Sequence, residues 1–289
     1  MRSEQEMLDL IIQTARNDER IRAVIMNGSR MNPAAPRDFF QDFDIVYLVT
    51  EVAPFKADPS WIERFGELMI LQMPELMQEP PPENDGTFVY LMQFADGNRI
   101  DLSLVPLARL DELEPDSLSR LLLDKDGQLK PFPPPSDRDY RPGPATAKAF
   151  ADCCNEFWWV CPYVAKGLWR EEITYAKTMV DPVLRAQLMK MLTWYVGIET
   201  QFLRSPGKYG KYLKHYLRPE LWAMLEQSYA DAGYENTWNA LFTMADLFRL
   251  TAQQVAAHFH FEYPQGDDDK VSAHLKHVRL LPKDATEMY

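Results

Sequence analysis

The sequence predicts an α+β chain in which a small mixed or antiparallel sheet with helices is followed by an all-α helical bundle. Three observations carry this. Strand-like segments (Ile21–Asn27, Phe43–Val49, Phe88–Phe94 and Arg99–Val105) all precede one proline-crowded stretch. That stretch, PFPPPSDRDYRPGP, should be extended, semi-rigid and exposed. Beyond it, helical periodicity meets no competing strand pattern. The expected organisation is therefore a first domain at 1–130, a linker at 131–145, a helical domain at 146–262 and a loosely held tail at 263–289, where Asp267-Asp268-Asp269 stands.

Taken in order, Ser3-Glu4-Gln5-Glu6 has capping-box spacing and opens a helix over Glu4–Asn17, with Met7, Leu8, Ile11, Ile12 and Ala15 as its apolar stripe. The strand Ile21–Asn27 stops abruptly at Gly28-Ser29, and Pro33 and Pro36 keep the following loop irregular. After Phe43–Val49, Asp58-Pro59 reads as an N-cap with proline at N1, predicting a helix to about Met73. Pro80-Pro81-Pro82 and Asn84-Asp85-Gly86 mark a turn-rich loop. Ala95-Asp96-Gly97-Asn98 joins two strands as a hairpin. Glu114-Pro115 is expected to open a short helix over DSLSRLLL. In the second half, helices are predicted near Thr146–Val160, Lys166–Met179, Pro182–Leu203, Pro219–Ala232 and Glu235–His260.

With 289 residues, 46% of them hydrophobic, the chain can bury a real core. Its 31 Lys and Arg against 43 Asp and Glu give a net charge of −12, which repels nucleic-acid phosphates and attracts a cationic small substrate. No membrane span or signal peptide is apparent, because Arg2, Glu4, Glu6 and Asp9 interrupt any apolar opening run. Cys153, Cys154 and Cys161 lack CxxC spacing and suit a reducing compartment, so a cytoplasmic monomer is expected. The five histidines show no metal-ligand spacing.

The chemistry-bearing stretch runs from Gly28 to Asp44. Glycine at a strand exit lets backbone N–H groups approach a phosphate, and the Ser29 hydroxyl and Arg30 guanidinium add donors. Asp42 and Asp44, at i and i+2, point the same way, and Asp101 sits in another apolar strand. Two unit charges ~4 Å apart repel by about 4 kcal/mol at an effective dielectric near 20. Three carboxylates brought together therefore call for protons or a cation, and hard oxygen donors suit Mg²⁺.

The run NGSRMNP…QDFDIVYLV, then NRIDLSLVP, closely resembles the aminoglycoside 6-adenylyltransferase (streptomycin adenylyltransferase) family of the nucleotidyltransferase superfamily. MRSEQEMLDLI, CNEFWWVCPYVAKGLWR and WYVGIETQF…SPGKYGKYLKHYL extend the resemblance over most of the chain. The resemblance implies a polymerase-beta-like nucleotidyltransferase sheet and ATP-dependent transfer of AMP to the 6-hydroxyl of streptomycin, with Mg²⁺ and release of pyrophosphate. Gly28, Ser29 and Arg30 would hold the triphosphate, joined by Lys208 and Lys211. Asp42 and Asp44 would bind the metal, and Asp101 would be a third ligand or orient the hydroxyl. Asp181 matches a position that looks like the general base, although Asp181-Pro182 also reads as N-cap plus N1 proline.

Streptomycin carries guanidinium groups, which pair with carboxylates and stack on indoles. Glu156, Trp158, Trp159 and Trp169 are the candidates to grip it, with a substrate role expected for Glu156 and one tryptophan. Trp158 and Trp159 cannot both face one way on a helix, so at least one belongs to the core. ATP and antibiotic would meet in a cleft between the domains. The rival readings are another aminocyclitol acceptor, a nucleic-acid nucleotidyltransferase, which the acidic charge disfavours, and a non-catalytic nucleotide-binding regulator.

Overall fold

The computed structural model describes every residue except 34, 82–84 and 113–115. The expected turns at Pro82 and Asn84 and the Glu114-Pro115 helix start lie outside the described residues. The chain divides into two compact units, Met1–Asp139 and Tyr140–Tyr289, with the division inside the proline-rich stretch.

The first unit opens with α1 (Glu4–Asn17), whose capping box is formed: Glu6 N–H donates to Ser3 Oγ, and the Glu6 carboxylate accepts from Ser3 N–H at 2.7 Å. β1 (Ile21–Asn27) and β2 (Phe43–Val49) follow, then the short α2 (Ala53–Ala57). Asp58 does cap a helix, accepting from Ser60 N–H, but that helix is a 3₁₀ segment over Pro59–Phe65. The helix expected to reach Met73 is instead ended by Gly66 (φ 127°), and Leu68–Gln72 is β3. β4 (Phe88–Phe94) and β5 (Arg99–Pro106) form the hairpin. Arg120–Asp124, most of it in the stretch expected to be helical, is β6.

The six strands form one mixed sheet in the order β3-β4-β5-β2-β1-β6, in which β2 and β5 run parallel and every other pair is antiparallel. One face carries Phe43, Ile45, Tyr47, Tyr90, Ile100 and Leu102 against Met7 and Ile11 of α1 and Trp61 and Phe65 of the 3₁₀ segment. The buried Tyr47 hydroxyl donates to Ile11 O at 2.7 Å, so the polar tip of a core aromatic is satisfied by the covering helix. The opposite face is smaller, built on Ala23, Ile25 and Leu48.

The second unit is helical throughout: α3 (Ala147–Trp169), α4 (Ile173–Thr178), α5 (Arg185–Glu199), α6 (Leu213–Tyr216), α7 (Pro219–Gln227), α8 (Tyr234–Phe259) and α9 (Gln265–Leu280). α3 continues past Val160 and through Pro162, and a break with Glu171 at φ 60° separates it from α4. Residues 179–184 form a π-helical turn linking α4 to α5. Pro182 has no N–H to donate there, and the Arg185 N–H reaches back five residues to Val180 O. α3 carries all three cysteines, buried as free thiols; burial pushes the Cys153 thiol up to about 12 and raises Cys154 and Cys161 as well. Among the described residues no helix is long and apolar enough to cross a membrane.

The expected loose tail is largely α9. Its acids Asp267 and Asp268 sit in the first turn, where the helix dipole favours negative charge, and Leu275 and Val278 enter the core. Asp268 is 1% exposed and takes two bonds of 2.6 Å from Arg249, one of 2.7 Å from the Tyr263 hydroxyl and one of 2.9 Å from Ser272. Burial alone would raise its carboxyl, but these donors, Arg249 above all, hold it below the ordinary 3.8. Asp268→Ala leaves Arg249 without its buried counter-ion, and urea titration should register a loss of about 3–5 kcal/mol at neutral pH. Because the folded carboxyl is depressed, the gap between wild type and variant should be full above 3.8 and shrink as the pH falls through the lower folded value.

Candidate active site

β1 ends at Asn27, which pairs with Asp44 of β2, and the chain turns out of the sheet at Gly28. Gly28 has φ 77° and ψ −153°, a conformation open to glycine and strained for other residues. Space makes the same demand: a Cβ on Gly28 would lie 1.9 Å from Asp44 Oδ2. The Asp44 carboxylate thus lies directly against the bare backbone of the turn. The chain then makes one 3₁₀ turn over Ser29–Met31.

Parallel pairing sets Asp44 beside Asp101 on the neighbouring strand. Both alternate out of phase with the core-facing Phe43, Ile45, Ile100 and Leu102, so they project from the opposite face. Arg99, two residues before Asp101, grips its carboxylate bidentately at 2.7 and 2.8 Å and lies 3.7 Å from Asp42 Oδ2. One guanidinium therefore reaches the carboxylates of both Asp42 and Asp101. The i, i+2 spacing of Arg99 and Asp101 on one strand is the sequence signal for this pair.

Asp42, Asp44 and Asp101 are hard oxygen donors, so the donor chemistry fits Mg²⁺. Among the described residues, no three His, Cys, Asp or Glu are gathered as a metal-holding group.

Arg30 does not fit the role expected of it. Its guanidinium is 5% exposed, stacks 3.7 Å over the Phe43 ring, donates to Asp42 O at 3.0 Å and Gln41 O at 2.6 Å, and pairs with Glu4 at 3.3 Å. Burial pulls its pKa down, with Glu4 opposing. These bonds turn the side chain inward, where it fastens the loop after Gly28 to the start of β2. The Gln41 side-chain amide donates to Ser29 O at 3.1 Å and closes the same loop from the other side.

In the helical unit, Asp181 lies within the π-helical turn rather than at a helix start, so the N-cap reading falls. Its carboxylate pairs with Lys177 at 3.1 Å and Arg185 at 3.4 Å, both four residues away. Lys208 and Lys211 are exposed on a turn in which Gly207, Tyr209 and Gly210 all have positive φ. Tyr209 is 89% exposed at φ 57°, with Lys208 Nζ 5.4 Å from its ring centre. Glu156 is exposed on α3. Trp158 is the core member of the tryptophan pair, 2% exposed and packed edge-on against Phe157 and Phe248, so no indole face is left for a substrate. Trp159 is the exposed one, at 62%, and donates to the Tyr163 hydroxyl at 2.9 Å. Trp169 is half-buried against the core and donates to Leu281 O.

The sequence matches the streptomycin adenylyltransferase family over residues 1–278. The chain belongs to this family. It is 42% identical to an aminoglycoside 6-adenylyltransferase of Bacillus subtilis (strain 168) over 270 residues, 93% of this chain and 95% of that one. It is 42% identical to one of Campylobacter jejuni over 276 residues, 95% of each chain. A relative in Staphylococcus aureus is 35% identical over 266 residues, 91% of this chain and 94% of the other. The crystal structure of an aminoglycoside 6-adenyltransferase from Bacillus subtilis aligns over 97% of this chain and 100% of that one, at 36% identity and a TM-score of 0.48. The family is one of nucleotidyltransferase enzymes, and this member carries both Gly28-Ser29 and the Asp42/Asp44 pair.

Gly28→Ala should displace the Asp44 carboxylate and lower turnover by about 100-fold, the loss that a ~1 Å misplacement can cause. Steady-state kinetics on protein whose circular dichroism matches wild type checks this.

Proposed function

We propose that the protein transfers AMP from ATP to the 6-hydroxyl of streptomycin, releasing pyrophosphate and inactivating the antibiotic. The observation that carries this reading is the carboxylate pair Asp44 and Asp101 on adjacent parallel strands, with Asp44 against the Gly28 turn, in a chain of this family. The relatives are named as aminoglycoside 6-adenylyltransferases, which supports a hydroxyl of an aminoglycoside as acceptor.

The acceptor oxygen attacks the α-phosphorus in line. A new P–O bond forms, the α–β phosphoanhydride breaks, and pyrophosphate leaves with the bridging electrons. Asp42 and Asp44 would hold Mg²⁺, which when bound supplies charge neutralisation at the triphosphate. The backbone at Gly28 and the Ser29 hydroxyl contact phosphate oxygens, while Arg30 keeps their loop in shape from within. Lys208 and Lys211 supply positive charge for the triphosphate. Asp181 accepts the proton of the attacking hydroxyl. Asp101, held by Arg99, would orient that hydroxyl or serve as a third metal ligand. Glu156 pairs with a streptomycin guanidinium, and a net charge of −12 favours approach of the polycation.

Incubation with Mg-ATP and a panel of aminoglycosides, read by mass spectrometry, should give an adduct of one AMP on streptomycin and stoichiometric pyrophosphate. An adduct on a different aminoglycoside alone would move the acceptor assignment, and no adduct on any would sink the proposal. Asp181→Asn should lower kcat by about 10²–10⁴. Lys208→Ala should weaken ATP binding measured by calorimetry, whereas a lysine that is only solvated would leave it unchanged.

A further inference from the structure

Asp181 is held in an unusual way for a half-exposed helical carboxylate. Lys177 takes one of its oxygens at 3.1 Å and Arg185 the other at 3.4 Å. Pairs at i, i+4 on an open helix surface leave both side chains mobile. Here each cation is pinned a second time, and both pins come from the same segment, residues 228–230 just beyond α7. Lys177 Nζ donates to Ala230 O at 2.9 Å. Arg185 donates to Ser228 O at 2.9 Å and Ser228 Oγ at 3.0 Å, and its guanidinium stacks 3.6 Å from the Tyr229 ring.

The segment itself is fixed: Ser228 is fully buried, its N–H bonds to Met224 O, and its hydroxyl bonds to Leu225 O. Arg185 is 8% exposed, and its Nε is buried with no hydrogen-bond partner among the described residues. A buried donor left unmatched is unfavourable, and here it accompanies a guanidinium aimed by four other contacts. Asp181 itself lies in the widened turn at 179–184, with the two cations four residues to either side of it.

From this geometry we infer that Lys177 and Arg185 are positioning residues that fix the orientation of Asp181 for the transfer reaction, with residues 228–230 as the rack that aims them. Two anchored donors, one on each oxygen, remove rotation about the Cβ–Cγ bond. The lone pairs they leave are fixed in direction, the pre-organisation that a group accepting a proton from a bound hydroxyl needs. This inference rests on the reading of Asp181 as the base in the AMP transfer proposed above.

The test is a double-mutant cycle on the full chain with Mg-ATP and streptomycin. Lys177→Met and Arg185→Lys should each lower kcat by about 10- to 100-fold with the KM for ATP changed by less than about twofold. In the Asp181→Asn background, where there is no carboxylate to orient, each should cost little more. Should Arg185→Lys fail to fold, Lys177→Met carries the test, since Lys177 is more exposed and its loss leaves the Arg185 network in place. Wild-type kcat in Lys177→Met, or losses that multiply fully with that of Asp181→Asn, would overturn the positioning role while leaving Asp181 as the base. Wild-type turnover in Asp181→Asn itself would remove the base and this inference together.

Discussion

A carboxylate occupies the space that Gly28 leaves by having no side chain, and the acidic face of the sheet is built around that contact. Asp44 comes to this place because β2 lies between β1 and β5, antiparallel to one and parallel to the other. Its Asn27 neighbour brings the Gly28 turn to it from one side, and its Asp101 neighbour brings a second carboxylate from the other. The turn would be unfavourable for any other residue, and Arg30 keeps it in place by lying beneath it, fastened to Gln41 O, Asp42 O and the ring of Phe43. The acidic face and the loop that would cradle a phosphate are thus one construction, with a buried cation inside it and a second, Arg99, across its surface.

Much of this was legible in the sequence because it is local. The capping box at Ser3, the alternation of β2, β4 and β5 and the Gly28-Ser29 exit each depend on residues within a few positions of one another. The two strands that escaped, β3 and β6, are the two edges of the sheet. An edge strand is paired on one side alone, and its conformation is decided by a partner far away in sequence. Leu68–Gln72 continues what reads as a helix, and Arg120–Asp124 carries a leucine run that suits either state. The acidic run at 267–269 misled for a related reason: it looks like a solvated tail until Arg249, on a different helix, claims Asp268.

The site residues divide along the same line. Asp42, Asp44 and Asp101 stand out by their spacing; the groups that hold them do not. Arg30 reads as a phosphate ligand because it follows Gly-Ser, yet its guanidinium is used inward, a choice made by Phe43 and two carbonyls that adjoin it only after folding. The identity of the buried tryptophan depends on Phe248, from another helix, lying against Trp158. Asp181 and its two cations share an i±4 spacing visible in the sequence, but the carbonyls that immobilise those cations belong to a segment more than forty residues on.

All three cysteines lie on one face of α3, sealed in the core of the helical unit, with thiols that burial keeps protonated at neutral pH. The surface is chemically silent toward maleimides and other thiol-selective reagents as long as the unit is folded. One cysteine placed on the exposed side of either unit would be the single reactive thiol, so a fluorophore or spin label can be attached without first removing the native three. Reaction of the native three would in turn report opening of the helical core.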